Sequence, residues 1–340
     1  MNEFLGKLLL TRSVSGREFP AADCIEEYAG KWASSVTRDA RGNVYVQENG
    51  REGGIMLDAH IDEIGVMVNY ITEEGLLHVV KLGGIHVPMY FGHIARVHTR
   101  TGDIFGSVLI ANSLYSGNAT TKDIIIDIGA RSYEEAAALV HIGDVVTLDT
   151  DYRELMNDRI CSRALDDKIG VYTILEALRR AKEQGLKIPV SACTTCGEET
   201  TKDGASWAAA RVNPRVSIAV DVTFSGDHPY GSPKEEYGDV RLGRGPVIAY
   251  NPMLSRSRIE VLEQIAKEKG IPYQFECSSD KSYTNTDAIH FSNKGVESII
   301  LSIPLRYMHS EAELIDMNDV ENLIELIKEY LLYCNEHEQF

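Results

Sequence analysis

Basic side chains are scarce relative to acidic ones. Lys and Arg number 34 against 51 Asp and Glu, so the formal net charge is 34 − 51 = −17. Such a surface repels phosphate backbones and anionic lipid, which argues against nucleic acid and membranes as partners. No apolar run approaches the roughly 20 residues needed to span a bilayer. The opening segment, MNEFLGKLLLTRSVSGREF, lacks the basic leader, apolar stretch and small-residue cleavage site of a secretory signal. Cysteine is also sparse, and six in 340 residues do not make a disulfide scaffold. A reduced, cytoplasmic protein is therefore expected. Cys193 and Cys196 form a CxxC pair, but no second pair completes a four-cysteine zinc site, and both sit in an apolar stretch. They read as core filler. Internal repeats, low-complexity runs and proline-rich linkers are absent.

What is present is globular: 44% of residues are hydrophobic and 25% charged, which excludes disorder as the default. A chain of 340 residues exceeds what one core usually supports, so two domains are expected. Glu18–Trp32 has helical spacing of apolar residues, and a Gly42-Asn43 turn separates two short strands, Ser35–Asp39 and Val44–Gln47. Ile55–Ala59 reads as a buried strand ending at His60. From about Gly65 to Asp151, short β-rich runs recur between glycine turns, with one short helix at Ser132–Leu139; this pattern predicts a small barrel or sandwich. Beyond it, strands (Ile188–Thr195, Val216–Thr223, Tyr273–Cys277, Ser298–Ile303) alternate with helices (Lys168–Gln184, Gly204–Arg211, Leu254–Lys269, Asp287–Asn293, Asn318–Cys334). That alternation predicts a mostly parallel sheet covered by helices. The fold class expected is α/β, with one domain from residues 1–64 and 152–340 and a small β-rich, barrel-like domain, residues 65–151, inserted in it.

Functional groups in open α/β sheets gather at the carboxyl ends of strands. Ile55–Ala59 delivers His60, with Asp62 two residues on. Ser191–Thr195 delivers Glu198 and Glu199, Val216–Val220 delivers Asp221, and Ile299–Ile303 leads to His309. Asp166-Asp167 opens a helix, where either residue alone would be an ordinary cap. Each residue has a dull explanation, but a single metal site accounts for all of them together. Imidazole nitrogen and carboxylate oxygen suit zinc. Two ions about 3.5–4 Å apart need a shared ligand, and a carboxylate can bridge them. His60 and Asp221 would serve one ion, Glu199 and His309 the other, and one Asp of the pair 166–167 would bridge. Asp62 is placed to accept a hydrogen bond from the far nitrogen of His60 and fix its tautomer. Glu198 points away from Glu199 on extended backbone, so it is free to act as general base.

These residues resemble those of the M42 family of metallo-aminopeptidases, which includes the tetrahedral aminopeptidases. The similarity lies in DAHIDEIG at 58–65, RALDDKIG at 163–170, GEE at 197–199 followed by GA at 204–205, AVDVT at 219–223 with Asp227, LGRGPVI at 242–248, TDA at 286–288 and RYMHS at 306–310. The resemblance implies a zinc-peptidase-like catalytic domain with an inserted dimerisation domain. It implies metal ligation by His60, Asp166, Glu199, Asp221 and His309, with Glu198 as the base. It also selects Asp166 as the bridging residue, because many relatives carry Asn at the following position. The family often reads QEEVGLRGA where this chain reads GEETTKDGA, so Thr200–Asp203 alter the loop behind the base. Leu109–Ser113 and Ser282–Thr286 also depart from the usual pattern, which bears on the substrate pocket and the assembly contacts.

The expected activity is release of amino-terminal residues from short peptides with a free amino terminus, using two divalent ions per chain. Zinc or cobalt is expected, and manganese is also compatible with N/O ligands. The expected assembly is a homodimer, and the resemblance implies beyond it a dodecamer enclosing a chamber. Two alternatives are a glycosidase using paired carboxylates and a non-catalytic assembly subunit. The first leaves His60 and His309 unused, and Glu198 and Glu199 are neighbours rather than facing each other across a sugar. The second leaves Glu198 without a purpose.

Overall fold

The computed structural model describes residues 2–50, 52–231 and 234–337. The outermost limits of the expected α/β domain, Met1 and Phe340, lie outside them. An eight-stranded mixed sheet is the frame. Its four central strands, in the spatial order Val190–Thr195, Ile55–His60, Val216–Phe224 and Glu297–Leu305, are all parallel. Strands covered on both faces read as near-continuous apolar runs, which is why Ile55–Ala59 and Val216–Val222 looked buried in the sequence and are.

Antiparallel pairings flank this centre. Val44–Glu48 pairs with Val190–Thr195 on one side and with Ser35–Arg38 on the other. Val247–Tyr250 pairs antiparallel with Glu297–Leu305 and carries Gln274–Cys277 parallel at the far edge. Val247–Tyr250 was not anticipated. It has four residues and follows the glycine- and proline-rich LGRGP, so it is too short for a pattern and preceded by turn signals. A second, three-stranded sheet of Arg153–Glu154, Arg159–Ser162 and Glu313–Asp316 was missed for the same reason of length.

Alternation along the strands divides the core between the two faces of the sheet. Ile55 and Leu57 join the main cluster with Leu165, Ile169 and Leu323, from the helices Leu165–Glu183 and Met317–His337. Met56 and Cys193 face the opposite side with Ala205, Ala208 and Val212 of the helix Asp203–Val212. Cys193 and Cys196 are free, fully buried thiols, as filler requires. The helix Glu3–Leu10 was not anticipated. Asn2 caps it by accepting from the Phe4 and Leu5 amides, and Leu5, Leu8 and Leu9 anchor it in the main core.

Six strands between Gly65 and Leu148 close into a barrel, ordered Gly65–Ile71, Leu77–Leu82, Ile125–Asp127, Gly102–Val108, Ile94–Thr99 and Val145–Leu148. It is filled by its own apolar cluster, including Val66, Val68, Leu77, Val97, Ile126 and Val146. Where the chain leaves the barrel, Arg12 donates to the Thr150 carbonyl at 2.8 Å and to Asp151 at 3.2 Å. Thr150 Oγ1 donates to Glu311 at 2.6 Å. Among the described residues, no helix is long and apolar enough to cross a membrane.

Candidate metal centre

The parallel register brings the carboxyl ends of the central strands to one edge. His60 closes its strand opposite Thr195, whose chain runs on into Gly197–Glu199. Asp221 lies opposite Ser302, on the strand that leads to His309. Asp166 and Asp167 open the helix Leu165–Glu183 with non-helical backbone angles, so their carboxylates face the strand ends instead of joining the helix surface. All the side chains singled out in the sequence therefore meet at one place.

Asp166 is central. Its Oδ1 is 3.0 Å from His60 Nε2 and its Oδ2 is 3.3 Å from His309 Nε2. His309 Nε2 is also 3.2 Å from Glu199 Oε1. One ligand atom each from His60, Asp166 and Glu199 fall within 4.8 Å of one another, and so do those of His60, Asp167 and Asp221. Asp167 is otherwise occupied: its carboxylate accepts from the His60 amide at 3.2 Å and the Gly170 amide at 3.1 Å.

Both imidazoles are oriented by main-chain carbonyls. His60 Nδ1 is 3.0 Å from the Asp62 carbonyl, and His309 Nδ1 is 2.9 Å from the Gly84 carbonyl. A carbonyl can only accept, so each Nδ1 carries a hydrogen and each Nε2 is the nitrogen turned toward the cluster. One expectation changes here. The turn after His60 brings the main chain of Asp62 to the ring, leaving the Asp62 carboxylate 3.5 Å from Nδ1. That carboxylate instead accepts from Ser15 Oγ at 2.6 Å and from the amides of Glu198 at 3.0 Å and Glu199 at 3.2 Å, fixing the turn that carries the two glutamates. The inserted segment reaches the site through Gly84.

Glu313 was overlooked in the sequence. One of its oxygens accepts from the His309 amide at 2.9 Å and the other from the Asp166 amide at 3.1 Å, so one buried carboxylate positions both backbones. Its only sequence signal is a spacing of four from His309. Glu63 was overlooked as well: it is buried and paired with Arg163 and with Lys168, whose Nζ is 3.1 Å away.

The electrostatics of the cluster call for cations. Burial pushes the Asp221 carboxyl well above its ordinary range, with Asp166 and Glu198 adding to the rise. Burial raises Glu198, and it raises Glu199 to about 7. Burial opposes charge on His309, yet the carboxylates of Asp166 and Glu199 hold its pKa up to about 11. Among the described residues, no Lys or Arg pairs with Asp166, Glu199 or Asp221. Buried carboxylates with no Lys or Arg partner among the described residues, beside two imidazole Nε2 atoms, are a donor set that divalent cations fit.

A sequence model of the M42 glutamyl aminopeptidase family matches residues 42–326. The chain is 32% identical to the lysyl aminopeptidase of Pyrococcus furiosus over 339 residues, 97% of this chain and 96% of that protein. Among solved structures, the TET aminopeptidase of Thaumarchaeota archaeon SCGC AB-539-E09 superposes with a TM-score of 0.90 at 29% identity, covering 99% of this chain and 96% of that one. The TET1 peptidase of Pyrococcus horikoshii gives a TM-score of 0.85 at 31% identity, covering 96% and 98%. Fold and relatives together define a peptide-bond hydrolase. The chain belongs to the M42 family of aminopeptidases.

Proposed function

We propose that this aminopeptidase uses two divalent ions held by His60, Asp166, Glu199, Asp221 and His309, with Asp166 bridging and Glu198 as general base. The observation that carries this reading is that the two oxygens of Asp166 face two different imidazole nitrogens, at 3.0 and 3.3 Å. Zinc, cobalt and manganese all suit such a donor set. When bound, the ions supply Lewis acidity, easing deprotonation of water and stabilising charge on a carbonyl oxygen.

The chain's own residues do the rest. Glu198 is not among the ligands and is adjacent to Glu199, so its carboxylate is available for proton transfer. It takes a proton from the attacking water as the oxygen adds to the first peptide carbonyl. It returns that proton to the leaving nitrogen as the carbon–nitrogen bond breaks. Asp62 keeps Glu198 and Glu199 in place through their amides, and Glu313 does the same for Asp166 and His309. The concentration of carboxylates also suits a substrate with a charged, unblocked amino group. Elemental analysis should find two divalent ions per chain, and exhaustive chelation should abolish cleavage of peptides with free amino termini. Full turnover by metal-free protein would sink the reading.

Residues 65–151 form the self-association domain in this proposal. The barrel exposes Ile94, Phe105, Ile110 and Tyr115, the last with 78% of its surface accessible. Such apolar groups are safest when covered by a second copy. The P. horikoshii relative can assemble into a tetrahedron or a large octahedral shell. A dimer built through this barrel, and a dodecamer of such dimers, is the corresponding expectation here.

A further inference from the structure

Asp166, Glu198, Glu199 and Asp221 form one wall of a cavity of about 1020 Å³ that continues along the sheet to the strand Gln274–Cys277. Val222, Ala249, Ile300 and Met308 give it apolar lining. Glu276 belongs to the same lining. The register explains its position: Glu276 sits opposite Ala249, Ser302 sits opposite Asp221, and Thr223 is two residues after Asp221 on the same face of its strand. The Glu276 carboxylate accepts from Ser302 Oγ at 3.0 Å and from Thr223 Oγ1.

Both of those donors are neutral. Among the described residues, no Lys, Arg or His forms an ion pair with Glu276. The two lysines that line the cavity do not serve it. Lys202 is engaged by Glu198 and Asp287, and Lys281 is exposed and, among the described residues, makes no ion pair with Glu276. Burial raises the Glu276 carboxyl above its ordinary value, with only the two hydroxyls opposing the rise. A carboxylate in a cavity, satisfied by hydroxyls but not neutralised, is a place for a cationic ligand group.

We propose that this cavity receives the side chain of the substrate's first residue and that Glu276 selects a cationic one, lysine or arginine. The proposal rests on the aminopeptidase reading above and adds the substrate class. For Glu198 to serve the first peptide bond, that bond must lie at the carboxylate cluster, so the first side chain enters the adjoining space. The apolar lining covers its methylene stem, and the Glu276 carboxylate meets its ammonium or guanidinium. A neutral chain of equal length gains the lining alone, and an acidic one is repelled.

The test uses full-length, metal-loaded protein and the p-nitroanilides of lysine, arginine, norleucine, leucine and glutamate. Norleucine matches the lysine stem without its charge. For the wild type, kcat/KM should favour lysine over norleucine by on the order of 30-fold or more, the scale of a buried charge pair. Glu276→Gln should bring that ratio to within a few-fold of one. Should the variant fail to fold, inhibition of the wild type by free lysine, expected to be at least about tenfold tighter than by norleucine, probes the same pocket. Cleavage of norleucine, leucine or glutamate as fast as lysine would overturn the proposal and leave the aminopeptidase reading standing. So would an unchanged ratio in Glu276→Gln. Absence of turnover on every member would overturn the aminopeptidase reading and the proposal with it.

Discussion

Lys202 Nζ lies 3.0 Å from Glu198 Oε1, so a cation sits directly on the carboxylate assigned as general base. The backbone accounts for this. Lys202 adopts a left-handed φ of +55°, and its amide donates to the Gly197 carbonyl at 2.7 Å, closing a tight loop that folds the side chain back over Glu198. The Nζ is further held by the Thr284 carbonyl at 2.8 Å and by Asp287 at 3.4 Å. This lysine belongs to the TTKD segment that departs from the family's usual wording. Its neighbour Asp203 pairs with Arg41 at 2.8 Å.

Lys202→Met should leave metal content unchanged and lower kcat by roughly 2- to 10-fold, the range that a partly exposed ion pair supports. KM should change less than kcat, because the contact orients the base. Steady-state kinetics with metal analysis checks this, and a loss of bound metal equal to that of a ligand mutant would contradict it.

Glu198→Gln should retain both ions and lose about 10²- to 10⁴-fold in rate, as expected for a missing general base. Glu199→Gln should lose metal as well. Equal metal loss in the two variants, measured by elemental analysis after dialysis, would reverse the assignments.

Gly84→Ala tests the reach of the inserted segment into the site. A Cβ at Gly84 would stand 2.7 Å from His309 Nδ1 and 2.8 Å from Cε1, so the ring must move. Misplacing a reacting group by about 1 Å can cost on the order of 100-fold. Activity should fall by between about 10- and 100-fold while the melting temperature changes little. An unaffected rate would show that His309 does not depend on the Gly84 carbonyl.

His98 should make stability fall in mild acid. The ring is buried in the barrel wall, with Nδ1 2.9 Å from Asp103 and Nε2 3.1 Å from Thr147 Oγ1. Burial lowers its pKa, Asp103 opposes the shift, and Arg17 and Arg12 reinforce it. The folded state thus keeps the ring neutral where the unfolded chain already takes up a proton. The contribution is present above the unfolded value of about 6.5 and is lost as pH falls through the lowered folded value. Denaturant melts between pH 8 and 5 should show this slope, and His98→Gln should flatten it.

Chains of the wild type should associate through the barrel. Light scattering should give a mass of at least two chains, and placing a charge on the apolar face, as in Phe105→Glu, should reduce it. A fully active monomer would refute the self-association role of residues 65–151.

The central strands were legible in the sequence because strands buried on both faces leave continuous apolar runs. Their terminal polar residues, His60, Glu198, Glu199 and Asp221, stand out against those runs. The barrel strands were legible from their spacing and turns. Arg153–Glu154, Arg159–Ser162 and Val247–Tyr250 were not, since two to four residues hold no period and only neighbouring strands make them strands. The roles of Glu313 and Gly84 were also invisible. Glu313 acts by accepting from two amides 143 residues apart in the chain, those of Asp166 and His309, and Gly84 contributes only a carbonyl, which every residue has. The sequence by itself determined which ionisable groups end the strands, because local burial and residue chemistry suffice for that. Only the tertiary structure decided what holds those groups: the Asp62 and Gly84 carbonyls under the imidazoles, Lys202 over Glu198, and Glu276 across the cavity. Hydrogen bonds between distant segments depend on where the main chain passes, and no residue type encodes that.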